Sequence, residues 1–133
     1  MPKNIRIATR KSPLALWQAR KVSELLKNID NSINIELVKI TTSGDKILDK
    51  PLYDIGGKSL FLKELEQALL NNDCDIAVHS MKDMPAELHE DLTISAILER
   101  EDSRDVLISK KYHSLSDFTN TSSLGTSSVR RIC

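Results

Sequence analysis

Two alternating segments on either side of one amphipathic stretch constrain this chain most. Asn4-Ile5-Arg6-Ile7-Ala8-Thr9 alternates as a strand and is closed by Arg10-Lys11-Ser12-Pro13. Ser12 is placed to cap the helix that follows, and Pro13 suits its first position. Leu14, Trp17, Gln18, Val22, Leu25, Leu26 and Ile29 mostly keep the three-and-four spacing of one buried stripe. Ile33 to Ile40 alternates again, as a second strand. Strand, helix and strand in that order predict a right-handed parallel crossover, and so an α/β layer structure.

The functional side chains gather later, in Asp75-Ile76-Ala77-Val78-His79-Ser80-Met81-Lys82-Asp83-Met84-Pro85. Ile76-Ala77-Val78 is too short for a buried helix and suits a strand covered on both faces. Pro85 biases Met84 away from the α region, so His79 to Asp83 should lie in a turn or short helix at the strand's carboxyl end. That edge of an open α/β sheet is where ligands bind. The plainer reading is a βα loop that carries polar residues because loops are solvated.

The remaining elements are read in the same way. Thr41-Thr42-Ser43-Gly44-Asp45 leads through Pro51 to Gly56-Gly57-Lys58 without regular periodicity, and loops this long tend to be functional. Ser59 is expected to cap a helix with Leu60, Phe61, Leu65, Ala68 and Leu69 inward. Leu92 to Leu98 alternates as a further strand, and a dense charge run, Glu99 to Asp105, follows it. Then come a short strand Val106-Leu107-Ile108, a capped turn Ser114 to Asp117, and a strand that runs into a hydroxyl-rich helix start at Gly125 to Arg131.

Composition excludes several classes. Nineteen Lys and Arg balance nineteen Asp and Glu among 133 residues, so no global field favours nucleic acid, and an anion site must be built locally. Cys74 and Cys133 lack metal-ligand spacing, as do His79, His89 and His113, so no metal is expected. No apolar run approaches the roughly 20 residues of a membrane span, and no signal-peptide core opens the sequence. The expectation is a reduced, cytoplasmic protein with no membrane or nucleic-acid partner.

Three strand-to-helix junctions share one chemistry: Thr9-Arg10-Lys11-Ser12, Gly57-Lys58-Ser59, and Gly125-Thr126-Ser127-Ser128-Val129-Arg130-Arg131. Each sets hydroxyls and unpaired backbone N–H groups beside a cation, a combination that attracts carboxylates and phosphates. Ser and Thr are also simply good caps and Arg is simply solvated, which accounts for any one junction but less well for three. The Walker spacing and the dinucleotide fingerprint are both missing. His79, Ser80 and Asp83 are too close along a strand end to form a catalytic triad, and His79 is read as structural. Lys82 beside Asp83 differs, because a carboxylate kept ionised by a cation can bind N–H groups or exchange a proton near a developing positive charge.

These blocks, with Ile7-Ala8-Thr9-Arg10, Ser12-Pro13-Leu14-Ala15-Leu16-Trp17-Gln18 and Glu99-Arg100-Glu101-Asp102-Ser103-Arg104-Asp105, resemble the porphobilinogen deaminase (hydroxymethylbilane synthase) family from end to end. The resemblance implies a transferase of tetrapyrrole (heme, porphyrin) biosynthesis that condenses four porphobilinogen molecules head to tail into hydroxymethylbilane and releases ammonia each time. It implies a dipyrromethane cofactor held as a cysteine thioether. By motif match Asp83 is the acid/base carboxylate. Ser80, Lys82, Thr126, Ser127, Ser128, Arg130 and Arg131 hold the cofactor's acetate and propionate groups. Arg10, Ser12 and Gln18 face the incoming substrate, and Gly56, Gly57 and Lys58 belong to a mobile loop over the cleft.

The implied fold is a lobe like that of type II periplasmic binding proteins, with a mostly parallel sheet flanked by helices, plus the beginning of a second similar lobe. Residues 1–99 would form an incomplete first domain and 100–133 the hinge and start of a truncated second, with the third, cofactor-bearing domain absent. Neither Cys74 nor Cys133 stands in the family's cofactor motif, so this stretch is expected to be inactive alone. The full-length enzyme is expected to be a monomer, and the fragment able to self-associate. The alternative from another class is a non-catalytic module of the periplasmic-binding type for a small carboxylate.

Overall fold

In a computed structural model the described residues are 4–46 and 62–132. The chain divides into two compact units, Met1–Ser95 and Ala96–Cys133.

The first unit is built on a parallel sheet. Strand β1 (Asn4–Arg10) leads into helix α1 (Pro13–Ile29), which returns to β2 (Asn34–Ile40). Strands β1 and β2 pair in parallel from Asn4↔Asn34 to Arg10↔Ile40, as the crossover pattern predicts. A four-residue turn of helix, α2 (Ser43–Lys46), follows, then α3 (Lys63–Leu70) and β3 (Ile76–Ala77). The sheet order is β2-β1-β3. The strand expected at Ile76-Ala77-Val78 therefore lies at the edge of the sheet among the described residues, and β1 occupies the middle. The reason lies in β1 itself, where Ile7, Ala8 and Thr9 are wholly buried and both faces are covered.

Helices lie on both faces of β1. On one face Ala8 packs in a core with Leu65 and Ala68 of α3 and with Cys74. On the other, Thr9 Oγ1 donates to the Ala15 carbonyl of α1 at 3.1 Å. The α1 cap forms as its sequence predicts: Ser12 accepts from the Ala15 N–H and Pro13 opens the helix. The buried stripe is not the expected one. Ala15 and Ala19 are buried, while Leu14, Trp17 and Ile29 are 56%, 51% and 81% exposed. Small alanines let the helix backbone approach Thr9, and that close approach rotates the larger side chains outward.

Four other expectations are corrected. Helix α3 begins at Lys63 with Leu62 in the cap position and no side-chain cap bond, while Ser59, Leu60 and Phe61 lie outside the described residues. Leu92 to Leu98 forms no strand, and neither do Val106-Leu107-Ile108 nor the residues from Leu124 to the last helix. Alternation specifies which face a strand would bury but supplies no neighbour, and extended backbone without a ladder partner is not a sheet.

The second unit, described by itself, holds the expected capped turn. Ser114 and Asp117 form a reciprocal capping box around the 3₁₀ turn Leu115–Asp117. Tyr112 and Phe118 stack beside it with ring centroids 4.4 Å apart, and the Tyr112 hydroxyl meets Ser122 Oγ at 3.0 Å. Helix α4 (Val129–Ile132) ends the unit.

Candidate functional site

The carboxyl ends of β1 and β3 and the amino end of α1 enclose an open cavity of about 230 Å³. Each wall follows from a local rule. β1 ends at Arg10, and the cap residue Ser12 turns the chain into α1, so Leu14, Ala15 and Gln18 of the first turns face the space. Opposite, Asp75 N–H donates to the Arg6 carbonyl at 2.9 Å and Val78 N–H to the Ala8 carbonyl at 3.0 Å, which continues the ladder past β3. The strand then breaks into the 3₁₀ turn Met81–Asp83, with Met84 extended at φ −72° and ψ 139° ahead of Pro85. Val78, His79, Ser80, Lys82 and Asp83 thereby complete the lining.

Six residues expected at the site from sequence meet here: Arg10, Ser12, Gln18, Ser80, Lys82 and Asp83. Gln18 Nε2 donates to Ser80 Oγ at 3.0 Å, and Ser80 Oγ reaches Gln18 Oε1 at 3.2 Å, which ties α1 to the strand end. Arg10 is gripped by Asp45, with Nε to Oδ1 at 3.1 Å and Nη2 on the same oxygen. Lys82 and Asp83 form no ion pair among the described residues, so the expected support of the acid by its neighbour is not drawn as a contact.

Thr126, Ser127 and Ser128 belong to the second unit. There the Ser128 N–H donates to Thr126 Oγ1 at 3.2 Å, a local turn at the start of α4. Arg130 stands in α4, and Arg131 pairs with Asp105, Nε to Oδ2 at 2.9 Å. Gly56, Gly57 and Lys58 lie outside the described residues.

Sequence reasoning passed over two participants. His79, read as structural, lines the cavity, and its buried Nε2 has no hydrogen-bond partner among the described residues. Burial pushes its pKa below the ordinary value, with Asp83 opposing and Arg10 reinforcing that shift. Asp45 is the other. Burial alone would raise its pKa, but bonds from Arg10 and Thr42 outweigh it and hold the carboxyl below its usual range. The Thr42-Ser43-Gly44-Asp45 spacing of a capping box was the available signal.

The donor set suits a small organic acid. Two cations and two hydroxyls line the cavity together with a carboxylate, Asp83, at the sheet edge where such folds bind ligands. No group of three or more metal-ligating side chains occurs among the described residues. Fold and site thus define a small α/β unit with an open cavity at the carboxyl edge of its parallel sheet.

The comparisons narrow that class. The family model described as porphobilinogen deaminase, dipyromethane cofactor binding domain, matches residues 5–133. Porphobilinogen deaminase of Rickettsia canadensis (strain McKiel) is 56% identical over 98% of this chain and 44% of its own length. That of Rickettsia bellii (strain OSU 85-389) is 57% identical over the same shares, and that of Rickettsia rickettsii (strain Sheila Smith) 54% identical over 98% and 37%. The chain belongs to the porphobilinogen deaminase family, and it spans less than half the length of these relatives.

Proposed function

We propose that this chain supplies the acid-bearing part of the active site of a transferase that joins porphobilinogen units head to tail with loss of ammonia. The observation that carries the reading is the presence of Asp83 in one cavity with Arg10, Lys82 and Ser80. A passive receptor for carboxylates has no use for an acid among its anion-seeking groups, whereas a pyrrole acid brings N–H groups as well as carboxylates.

Arg10, Ser12 and Gln18 would take the carboxylates of the incoming porphobilinogen, and Ser80 and Lys82 those of a dipyrromethane. Bound there, the dipyrromethane supplies the pyrrole carbon on which the product grows. Cations and hydroxyl donors fit its acetate and propionate groups. The hydroxyls and arginines from Thr126 to Arg131 are read as further carboxylate-seeking groups, and residues 1–99 as a first lobe of the type II periplasmic-binding kind.

Asp83 is the acid/base group. As ammonia leaves porphobilinogen, positive charge develops on the pyrrole nitrogen, and a fixed carboxylate stabilises it where it appears. The same carboxylate can later accept the proton that the attacking pyrrole carbon must lose. The test is single-turnover ammonia release by a chain completed with the remaining segment of the Rickettsia canadensis relative. Asp83→Asn keeps the shape and removes charge and basicity, so the rate should fall about a hundredfold. A rate within about threefold of wild type, short of the tenfold that ~1.4 kcal/mol represents, leaves Asp83 as scaffolding.

A further inference from the structure

We propose that Leu14 is the ring-contact residue of this cavity: with Val78 it forms an apolar wall that takes the flat face of a heteroaromatic ring. This deepens the reading above and rests on it, since the ring is that of the pyrrole acid placed there.

Leu14 is the second residue of α1, directly after Pro13. The roll of the helix fixes where it points. Ala15 and Ala19 are buried on the sheet side, and the Ala15 carbonyl takes the Thr9 hydroxyl at 3.1 Å, which leaves Leu14 outside that contact. Gln18 stands one turn on from Leu14, and residues four apart share a helix face. The Gln18 amide is tied to Ser80 at 3.0 Å, so the face that carries Leu14 is held against the site.

A single exposed leucine on a convex surface needs no explanation, and Ile29, 81% exposed at the far end of the same helix, is such a case. Leu14 differs in its surroundings. It is 56% exposed yet lines a concave space that it shares with Ser80, Lys82 and Asp83, and half-buried Val78 adds a second aliphatic side chain to the same lining. Water in that space satisfies the polar groups and gains nothing from Leu14.

A pyrrole acid divides its polarity as the lining does. Its N–H and its carboxylate arms lie at the rim of the ring, while both faces are apolar. With one face against Leu14 and Val78, the rim is left to the hydroxyls and charges. Covering the part of Leu14 that solvent now reaches adds affinity through apolar burial, independently of every charged contact.

The test is a titration of the 133-residue chain, its leucine methyls isotope-labelled for NMR, with porphobilinogen. Nuclei over the face of an aromatic ring are shielded, so the Leu14 methyl signals, assigned by their loss in Leu14→Ala, should move upfield at saturation. Those of Leu25, on the same helix but not in the cavity lining, should stay in place. By calorimetry Leu14→Ser should weaken binding about fivefold, the gain that burying roughly half a leucine represents. Leu14→Ala keeps the strongest helix former; it should weaken binding about threefold, and it reads the same wall if serine disturbs the start of α1. Leu14→Met, which restores the apolar area, should bind within about twofold of wild type. Ile29→Ser, roughly 22 Å along the helix, should bind as the wild type does. Saturable binding with unmoved Leu14 methyls, or Leu14→Ser and Leu14→Ala as tight as wild type, overturns the wall and leaves the cavity's ligand as read. No saturable binding by the wild-type chain overturns the porphobilinogen reading itself, and the wall with it.

Discussion

Gln18 and Ser80, 62 residues apart, exchange hydrogen bonds at 3.0 and 3.2 Å and thereby fasten the first turns of α1 to the end of the strand that carries Asp83. Neither residue reaches the other by local structure. The pair joins two walls of the cavity, and each side chain is partly buried, so a partner left alone keeps an unsatisfied group. Gln18→Ala and Ser80→Ala should each destabilise the fold by about 1 kcal/mol. The double variant should cost less than their sum by about 0.5 kcal/mol or more, as interacting neighbours do. Urea unfolding of the four proteins measures this, and strict additivity would show that the contact carries no energy.

His79 makes stability depend on pH. Burial pulls its pKa below the unfolded value, so the unfolded chain binds a proton more readily than the folded one. Stability contributed by neutral His79 is then complete above the unfolded value of about 6.5 and is lost as pH falls below it, with a slope of at most about 1.4 kcal/mol per pH unit. Urea midpoints at pH 7.5 and 5.5 should differ more for the wild type than for His79→Gln. An equal drop in both would assign the dependence to groups other than His79.

Core and surface positions should separate cleanly. Leu65 is wholly buried beside Ala8, Ala68 and Cys74, so Leu65→Ala should cost about 2–5 kcal/mol from lost transfer energy and a cavity. Ile29 belongs to the same apolar spacing in α1 but stands exposed, and Ile29→Ala should change stability by no more than about 0.5 kcal/mol. Comparable losses at the two sites would mean that α1 buries its expected stripe after all.

What the sequence determined by itself was local or periodic. The Ser12 cap with Pro13, the alternation of β1 and β2, the turn forced before Pro85, and the capping box at Ser114 depend on near neighbours, and each formed as its residues dictate. Arg10, Ser12, Lys82 and Asp83 were also legible, because parallel strands bring their carboxyl ends to one edge, while Gln18 and Ser80 were named by the family resemblance alone.

Tertiary structure decided the rest. Which strand sits in the middle depends on what covers it, and periodicity carries no such information: β1, with Ile7 and Thr9 on one face and Ala8 on the other, took that place. Leu92 to Leu98 has a strand's pattern but no ladder, since hydrogen bonds need a partner that alternation does not name. The α1 face turned because Ala15 could approach Thr9 more closely than Leu14 could. Asp45 met Arg10 only through the register of two strands, a relation between distant residues that no window of sequence contains.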